Sequence, residues 1–381
     1  ILKFEGLEEK IEADGVGSLA GQSGFQVIGS ALTRSRGIEY GEIVSMPETE
    51  RAIRTALQSA QKLANSRVDH VIACISGGSP RSYGLEGTVD IKTGIVDDND
   101  IADVLGSCGI PAYGSDREVL HAQPVNFSLD HRTGLSDPRG QIGKKLSVDM
   151  HMLTVKEKTI HDLAYCLKRC DLELAGVASA SYASALSSLV EDEKELGAAC
   201  IDLGGGSTNL AIFWKKHMIF AETIKMGGGL VTRDISLGLQ IPLSTAERLK
   251  TRNGGVVATG LDDREMVEIA SETEDWEGER RMISRSDLIG IMRPRVEEIL
   301  EEVRSSLTDA GFEDLPSQKI VLTGGASQIP GIDNIASKIL GQQVRLGRPM
   351  RIHRLPQAYS GPNCAGLVGL SLFAAHPQDE W

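Results

Sequence analysis

The stretch Ala198-Ala-Cys-Ile-Asp-Leu-Gly-Gly-Gly-Ser-Thr-Asn209 joins two apolar runs through three consecutive glycines. The first run reaches Asp202 and the second resumes at Leu210, so the pattern predicts a buried strand, a tight turn and a returning strand. Glycine has no Cβ, and such a turn can therefore bring backbone N–H groups close to a bulky anion. A hairpin whose glycines only make the turn is the alternative.

The side chains around this turn suit a phosphate group. Asp202 stands where the strand ends, and a carboxylate there could orient a water molecule on a phosphate-bound magnesium ion. The predicted phosphate contacts in the turn are Gly204, Gly205, Gly206, Ser207 and Thr208.

A second apolar run also ends at a glycine pair, in Lys319-Ile-Val-Leu-Thr-Gly-Gly-Ala-Ser-Gln328. Two glycine turns that each end a core strand favour a nucleotide held between them. Our hypothesis is that the turns close on one triphosphate from two lobes. The predicted contacts in the second turn are Gly324, Gly325 and Ala326.

These motifs carry a family resemblance. Asp202-Leu-Gly-Gly-Gly-Ser-Thr208 and Leu322-Thr-Gly-Gly-Ala-Ser327 resemble the second phosphate loop and the adenosine loop of the actin, Hsp70 and sugar-kinase superfamily. Within it, nearly the whole chain resembles the FtsA family of bacterial cell-division proteins. The resemblance implies an α/β, actin-like (ribonuclease H-like) two-lobed fold with an FtsA-type inserted α+β subdomain. The inserted part would include His121-Ala-Gln-Pro124 and Asp137-Pro-Arg-Gly140.

The resemblance also implies a division of the chain into subdomains. Residues 1–81 would form subdomain 1A without its start, 82–161 the inserted subdomain 1C, and 162–195 the return to subdomain 1A. Residues 196–238 would form subdomain 2A, 239–316 subdomain 2B, and 317–350 the rest of subdomain 2A. Residues 351–381 would contain a C-terminal helix that packs on subdomain 1A.

Further nucleotide contacts follow from the same resemblance. Gly227 and Gly228 would open a helix whose N-terminus lies near the phosphates; the alternative is a plain strand-to-helix turn. Glu247 and Lys250 would approach the adenosine from one helical face, whereas without the family an exposed i,i+3 ion pair is preferred. The implied cofactors are ATP and Mg²⁺, with Asp202 contacting the metal through water.

Both ends of the chain depart from the family pattern. Family members begin with a phosphate hairpin Asp-x-Gly-(Ser/Thr), which does not occur before the second predicted strand here. We expect the chain to begin after that hairpin, so that half of the triphosphate clamp would be absent, which weighs against ATP binding. The family's C-terminal amphipathic helix is not seen either, and membrane contact is expected only through such a helix.

The resemblance implies a scaffold that polymerises head to tail, links FtsZ filaments to the membrane and recruits later division proteins. It would lie in the cytoplasm, on the inner face of the cell membrane at the division site. Arg285, Arg293 and Arg295 are candidates for binding the acidic C-terminal peptide of FtsZ, with a solvated helix face as the alternative. Any ATP hydrolysis would be slow, because no positioned base is evident. Rival interpretations are a sugar or acid kinase of the superfamily and a pilus-assembly scaffold.

Composition and local patterns add further expectations. The net charge of −13 weighs against a nucleic-acid partner, and the six cysteines suggest reduced packing residues of a cytosolic protein. No apolar run approaches the roughly 20 residues of a membrane span. We also expect a capping box at Ser45, a solvent-facing His151 and a loop over 252–283. The acidic run 191–195 is expected to be a solvated turn, with a water-polarising carboxylate as the alternative.

Overall fold

The computed structural model describes residues 1–4, 25–109, 111, 114–260, 262–269, 281–349 and 356–375. The α-helices within these residues are α1 (Met46–Ala64), α2 (Asp98–Ser107), α3 (Glu157–Arg169), α4 (Ala180–Ser188), α5 (Glu191–Leu196), α6 (Gly228–Leu239), α7 (Leu243–Asn253), α8 (Arg285–Asp309), α9 (Ile332–Leu340) and α10 (Ala365–Ala375). The strands are β1 (Leu2–Phe4), β2 (Phe25–Val27), β3 (Ile38–Glu39), β4 (Glu42–Ile43), β5 (His70–Ile75), β6 (Arg81–Asp90), β7 (Arg117–Leu129), β8 (Arg132–Leu135), β9 (Lys145–Lys156), β10 (Glu173–Ser179), β11 (Ala198–Leu203), β12 (Thr208–Trp214), β13 (His217–Ile224), β14 (Met266–Ile269), β15 (Arg281–Ser284), β16 (Lys319–Thr323) and β17 (Val344–Leu346).

A five-stranded sheet in the order β13-β12-β11-β16-β17 forms the centre of the larger core. Strand β11 is antiparallel to β12 and parallel to β16. Its side chains alternate between two buried layers: Ile201 and Leu203 face helices α6, α8 and α9, whereas Ala198 and Cys200 face helix α4. Because both faces of the sheet are covered, the strand is apolar from Ala198 to Ile201, up to Asp202 near its end. The predicted strand, turn and returning strand are confirmed.

A second sheet, in the order β6-β9-β7-β8, is antiparallel and has its own core. Helix α2 packs on this sheet through Ile101 and Val104, which contact Leu129, Leu146 and Val148. The separate core indicates an α+β unit inserted between β5 and α3. A parallel pair, β5 and β10, packs with α1 and α3 in a smaller cluster, and α10 packs against α4.

The prediction that His151 faces solvent is wrong. The first half of β9 alternates as expected, with Leu146 and Val148 buried and Asp149 exposed. In the second half both faces are covered, because Leu153 packs with residues of α4, β12 and β13. His151 is only 2% exposed. Alternating apolar and polar residues predict a solvent-exposed face only where no other layer of the protein packs on that face.

The acidic run 191–195 is not a solvated turn but part of helix α5. Its central residue, Glu193, is buried and accepts hydrogen bonds from Arg345, with Nε 2.7 Å from Oε1. These hydrogen bonds, together with the Val190 N–H, lower the pKa of Glu193 against the opposing effect of burial. The partner lies on β17, so local sequence gives no sign of it.

Two further predictions need correction. The loop expected over 252–283 contains the antiparallel hairpin of β14 and β15, with Val267 and Ile269 buried; strands of four residues are too short for a clear periodic signal. Residues 261 and 270–280 lie outside the described part. Helix α1 follows Ser45 as expected, but the Ser45 side chain forms no capping hydrogen bond.

The state of the cysteines and the length of the apolar helices were both considered in the sequence analysis. All six cysteines are unbridged, and five of them are buried. Of the helices within the described ranges, none combines the length and the hydrophobicity needed to span a membrane.

Candidate functional site

The two glycine turns lie side by side at one edge of the central sheet. Parallel strands end at the same edge, and β11 pairs with β16 so that Asp202 stands opposite Thr323. The expectation that the turns come from two lobes is therefore wrong, because both leave the same sheet. The edge formed by the carboxyl ends of strands is where open α/β sheets commonly bind ligands.

Gly324 is the closest point of contact between the two turns. Its φ of +86° is in the region that favours glycine, and a Cβ there would lie 2.2 Å from Oδ1 of Asp202. The same Cβ would lie 2.6 Å from the carbonyl oxygen of Leu203. Any larger residue would therefore have to displace the Asp202 carboxylate or the end of β11.

Asp202 is half-buried at this edge, and Ser184 Oγ donates a hydrogen bond to its Oδ2 over 2.5 Å. Burial raises the pKa of Asp202, and the hydrogen bond from Ser184 offsets part of that effect. Ser184 lies on α4 and was not predicted, since its partner is in another element. A carboxylate held in this way can orient a metal-bound water.

The third glycine group joins the same edge. Helix α6 begins at Gly228, with Gly227 as its N-cap residue. The N–H of Gly228 donates to the carbonyl of Gly204 over 2.9 Å, and the N–H of Gly229 donates to the carbonyl of Gly205 over 2.7 Å. The start of the helix therefore holds the first turn in place, and these two N–H groups have protein acceptors.

The first turn itself offers donors for an anion. Gly205 and Gly206 are exposed, and neither backbone N–H has an acceptor among the described residues. The predicted hydroxyl donors are less available: Ser207 and Thr208 are buried, and Thr208 Oγ1 donates to the carbonyl of Met226 over 2.8 Å.

Glu247 and Lys250 lie on one face of α7 and form an ion pair of 2.7 Å. Lys250 is buried, and its Nζ also lies 2.8 Å from Thr232 Oγ1 and 3.0 Å from the carbonyl oxygen of Gly228. Partial burial opposes ionisation of Glu247, but hydrogen bonds from Lys250 and Thr232 lower its pKa. The pair therefore connects α7 to the start of α6. This region lies beside Ala326, because a Cβ added at Gly228 would be 2.9 Å from the Cβ of Ala326.

The hairpin of β3 and β4 links this edge to the inserted sheet. A Cβ at Gly206 would lie 3.4 Å from the backbone N of Tyr40, in the turn between β3 and β4. The next residue but one, Glu42, accepts hydrogen bonds from the Gly78 N–H over 2.7 Å and from Thr159 Oγ1 over 2.9 Å. Gly78 and Thr159 lie where the chain enters and leaves the inserted unit.

The three predicted peptide-binding arginines already contact carboxylates of this chain. Arg285 pairs with Asp262 and Glu265, at 3.0 and 3.2 Å. Arg293 pairs with Glu297 at 2.7 Å. Arg295 contacts both carboxylate oxygens of Asp234, at 2.6 and 3.2 Å, and also pairs with Glu298. An acidic peptide would have to compete with these carboxylates.

Comparison with known proteins identifies the chain's relatives. The family model described as "Cell division protein FtsA" matches residues 199–369, and the model of the SHS2 domain inserted in FtsA matches residues 77–154. The chain is 36% identical to the cell division protein FtsA of Rhizobium meliloti over 349 residues, covering 92% of this chain and 79% of the relative. The Pseudomonas aeruginosa protein is 32% identical over 367 residues, covering 96% and 87%.

A solved structure supports the fold. The chain is similar to a protein of the "PilM-PilN type IV pilus biogenesis complex", with a TM-score of 0.61, 15% identity and coverage of 90% of this chain and 89% of that chain. At this identity the likeness shows the fold alone. The predicted actin-like α/β fold with an inserted α+β subdomain is confirmed. The chain belongs to the FtsA family of cell-division proteins.

Proposed function

We propose that this chain is an actin-like scaffold of bacterial cell division that binds ATP and Mg²⁺ at the carboxyl edge of its central sheet. The observation that carries this proposal is the convergence of the glycine turns at 204–206, 227–229 and 324–325 beside Asp202. The bound nucleotide would favour head-to-tail polymers of the chain.

In this proposal the N–H groups of Gly205 and Gly206 bind the phosphates, and Asp202 orients a water on Mg²⁺. The adenosine lies between the two remaining groups of predicted contacts, which are Glu247 with Lys250 on α7 and Gly324 with Gly325 and Ala326 after β16. Any hydrolysis is slow and regulatory.

The proposal includes partners and location. The C-terminal peptide of FtsZ binds at the region 239–316, where Arg285, Arg293 and Arg295 exchange internal carboxylates for those of the peptide. The scaffold links FtsZ filaments to the inner face of the cell membrane at the division site and recruits later division proteins. The subdomain boundaries predicted from the sequence are part of this proposal.

Gly205→Ala tests the nucleotide site. A Cβ at Gly205 would have no neighbour within 4 Å, so the free protein accepts it, whereas a phosphate seated on the turn would meet the added methyl group. We expect binding of a fluorescent ATP analogue with Mg²⁺ to weaken by about tenfold or more, a change of about 1.4 kcal/mol, with no loss of thermal stability. Gly106→Ala, which is equally open but lies on α2, is the matched control. Equal affinity in both variants would refute this site.

Titration of an FtsZ C-terminal peptide tests the partner. We expect a dissociation constant in the micromolar range, about −8 kcal/mol, and weaker binding to Arg295→Gln. Arg304→Gln is the control on the same helix, since Arg304 pairs only with its neighbour Glu301 within the described residues. Absence of peptide binding by the unmodified chain would contradict the proposed link to FtsZ.

A further inference from the structure

Three exposed arginines line an open pocket of about 180 Å³ beside the first half of helix α1. The cavity lies between that helix and the segment that precedes β3. It is lined by Thr33, Arg34, Arg36, Glu48, Arg51 and Thr55, together with Ala52, and we call it the arginine pocket. It contains none of the glycine turns of the candidate nucleotide site.

The wall of the arginine pocket is held firmly against the helix. Gly37 follows Arg36 with a φ of +74°, and a Cβ there would lie 2.4 Å from the carbonyl oxygen of Ser45. The carbonyl of Gly37 accepts hydrogen bonds from the N–H groups of Val44 and Ser45, over 2.8 and 3.1 Å, and from Thr49 Oγ1 over 3.1 Å. The backbone carrying Arg36 is therefore fixed relative to α1, which carries Arg51.

The arginines of this pocket differ from those on α8. Arg285, Arg293 and Arg295 each contact at least one carboxylate. By contrast, no side-chain hydrogen bond or ion pair of Arg34, Arg36 or Arg51 is formed within the part of the chain that the structure describes. Three arginines that line one pocket carry like charges, which a bound anion would compensate. In a chain of net charge −13, such a grouping stands out from its surroundings.

We propose that the arginine pocket binds a phosphate group. Guanidinium groups can contact phosphate oxygens through two parallel N–H donors each, and Thr33 adds a hydroxyl. The arginines and Glu48 together leave a net charge of about +2, which matches the charge of about −1.5 to −2 that a phosphate monoester carries at neutral pH. A cavity of 180 Å³ is several times the roughly 30 Å³ that one water molecule occupies in the liquid, so it has room for a phosphate with ordered water.

The arginine pocket lies outside the glycine turns of the candidate nucleotide site, but one of its arginines is close enough to influence a predicted adenosine contact. Arg34 is near enough to α7 that its charge contributes to the lowered pKa of Glu247. A phosphate bound by Arg34 would reduce that contribution. The pocket is therefore a second anion site beside the cleft rather than part of the glycine turns.

Calorimetric titration with inorganic phosphate at constant ionic strength tests the pocket. We expect saturable binding to the full chain, weakened about tenfold by Arg36→Gln and by Arg51→Gln, since each removes charge-assisted hydrogen bonds. Arg67→Gln, which changes an exposed arginine outside the pocket, is expected to bind as the unmodified chain does. Gly205→Ala is expected to keep the phosphate binding that depends on Arg36 and Arg51, and to lose only binding at the glycine turns. Loss of binding in Gly205→Ala with full binding in both pocket variants would overturn the proposal.

A second arm distinguishes the sources of the phosphate. Vesicles of phosphatidylcholine, with and without phosphatidic acid, are sedimented with the chain. Sedimentation that requires phosphatidic acid and is lost in Arg36→Gln assigns the pocket to a lipid headgroup, whereas saturable binding of free phosphate without sedimentation assigns it to a soluble phosphate. Failure of both arms overturns the proposal, whatever the outcome for ATP binding.

Discussion

Two regions of the molecule contain buried or half-buried titratable side chains. One is the carboxyl edge of the central sheet, and the other is the junction between the inserted sheet and helix α4. At the edge, Asp202 receives a hydrogen bond from Ser184. At the junction, His121 Nε2 accepts the N–H of Ser179 over 2.9 Å, but neither ring nitrogen of the neighbouring His151 has a partner within the described structure. Burial lowers the pKa of His151 to about 3, with a smaller contribution from His121.

The difference lies in access to solvent. The edge has exposed glycine N–H groups next to a half-buried carboxylate. A ligand can therefore reach both the N–H donors and the carboxylate. The junction is closed by apolar packing from α4, β12 and β13, so His151 stays neutral and its unmet hydrogen bonds cost stability. A buried polar group therefore indicates a binding site only where open backbone donors lie beside it.

Gly324→Ala is expected to have the largest effect on this comparison. The new Cβ would collide with Asp202, and the backbone at φ +86° and ψ 167° lies in a region essentially restricted to glycine, so we expect a loss of about 3 kcal/mol in the free energy of unfolding. Gly341→Ala is the control, because Gly341 also has a positive φ, in the left-handed helical region, but nothing lies within 4 Å of a Cβ there. Denaturant unfolding should show a loss of only about 1 kcal/mol there. Equal losses would mean that the contact with Asp202 does not matter.

The two buried histidines give the second test. His121→Leu leaves the Ser179 N–H without its acceptor, so we expect the free energy of unfolding to fall by about 1–3 kcal/mol. His151→Leu removes two unpartnered nitrogens and keeps most of the volume, so we expect no loss and a gain of up to about 1 kcal/mol. Denaturant unfolding at pH 7.5 compares them. A larger loss for His151→Leu would show that His151 has a partner in solution.

Asp202→Asn is expected to have the smallest effect on stability. The raised pKa of Asp202 means that its contribution to stability is complete below its ordinary pKa and is lost as the pH rises through the folded-state pKa. At a pH high enough to ionise Asp202, its buried carboxylate costs stability, so without nucleotide we expect Asp202→Asn to unfold a few degrees above the unmodified chain.

The pH dependence supplies the check on this last prediction. As the pH is lowered, the melting temperatures of the two proteins should converge once Asp202 takes up its proton, because Asn cannot titrate. A difference that is constant with pH would attribute the gain to packing instead of charge. If Asp202→Asn is more stable but binds nucleotide and Mg²⁺ more weakly, then the Asp202 carboxylate costs stability and serves binding.

Local sequence was sufficient for elements whose residues are neighbours along the chain. The strand β11, the turn at 204–206 and the start of α6 at Gly228 follow from apolar runs and glycines within about thirty residues. The inserted unit was also recognisable, since its motifs lie in one continuous stretch. The predicted contacts of the glycine turns met at one edge because strand pairing puts parallel strand ends together.

By itself, the sequence determined the elements around residues 198–228, because apolar runs and glycine turns are properties of contiguous residues. The family and the fold class came from the resemblance of its motifs to those of known proteins. Only the tertiary structure decided that Ser184 bonds Asp202, that Arg345 bonds Glu193, and that His151 is buried. Each of these depends on which surface covers another. Periodicity predicts which face of an element is buried. It does not predict which residue packs there, because that residue comes from a distant part of the chain.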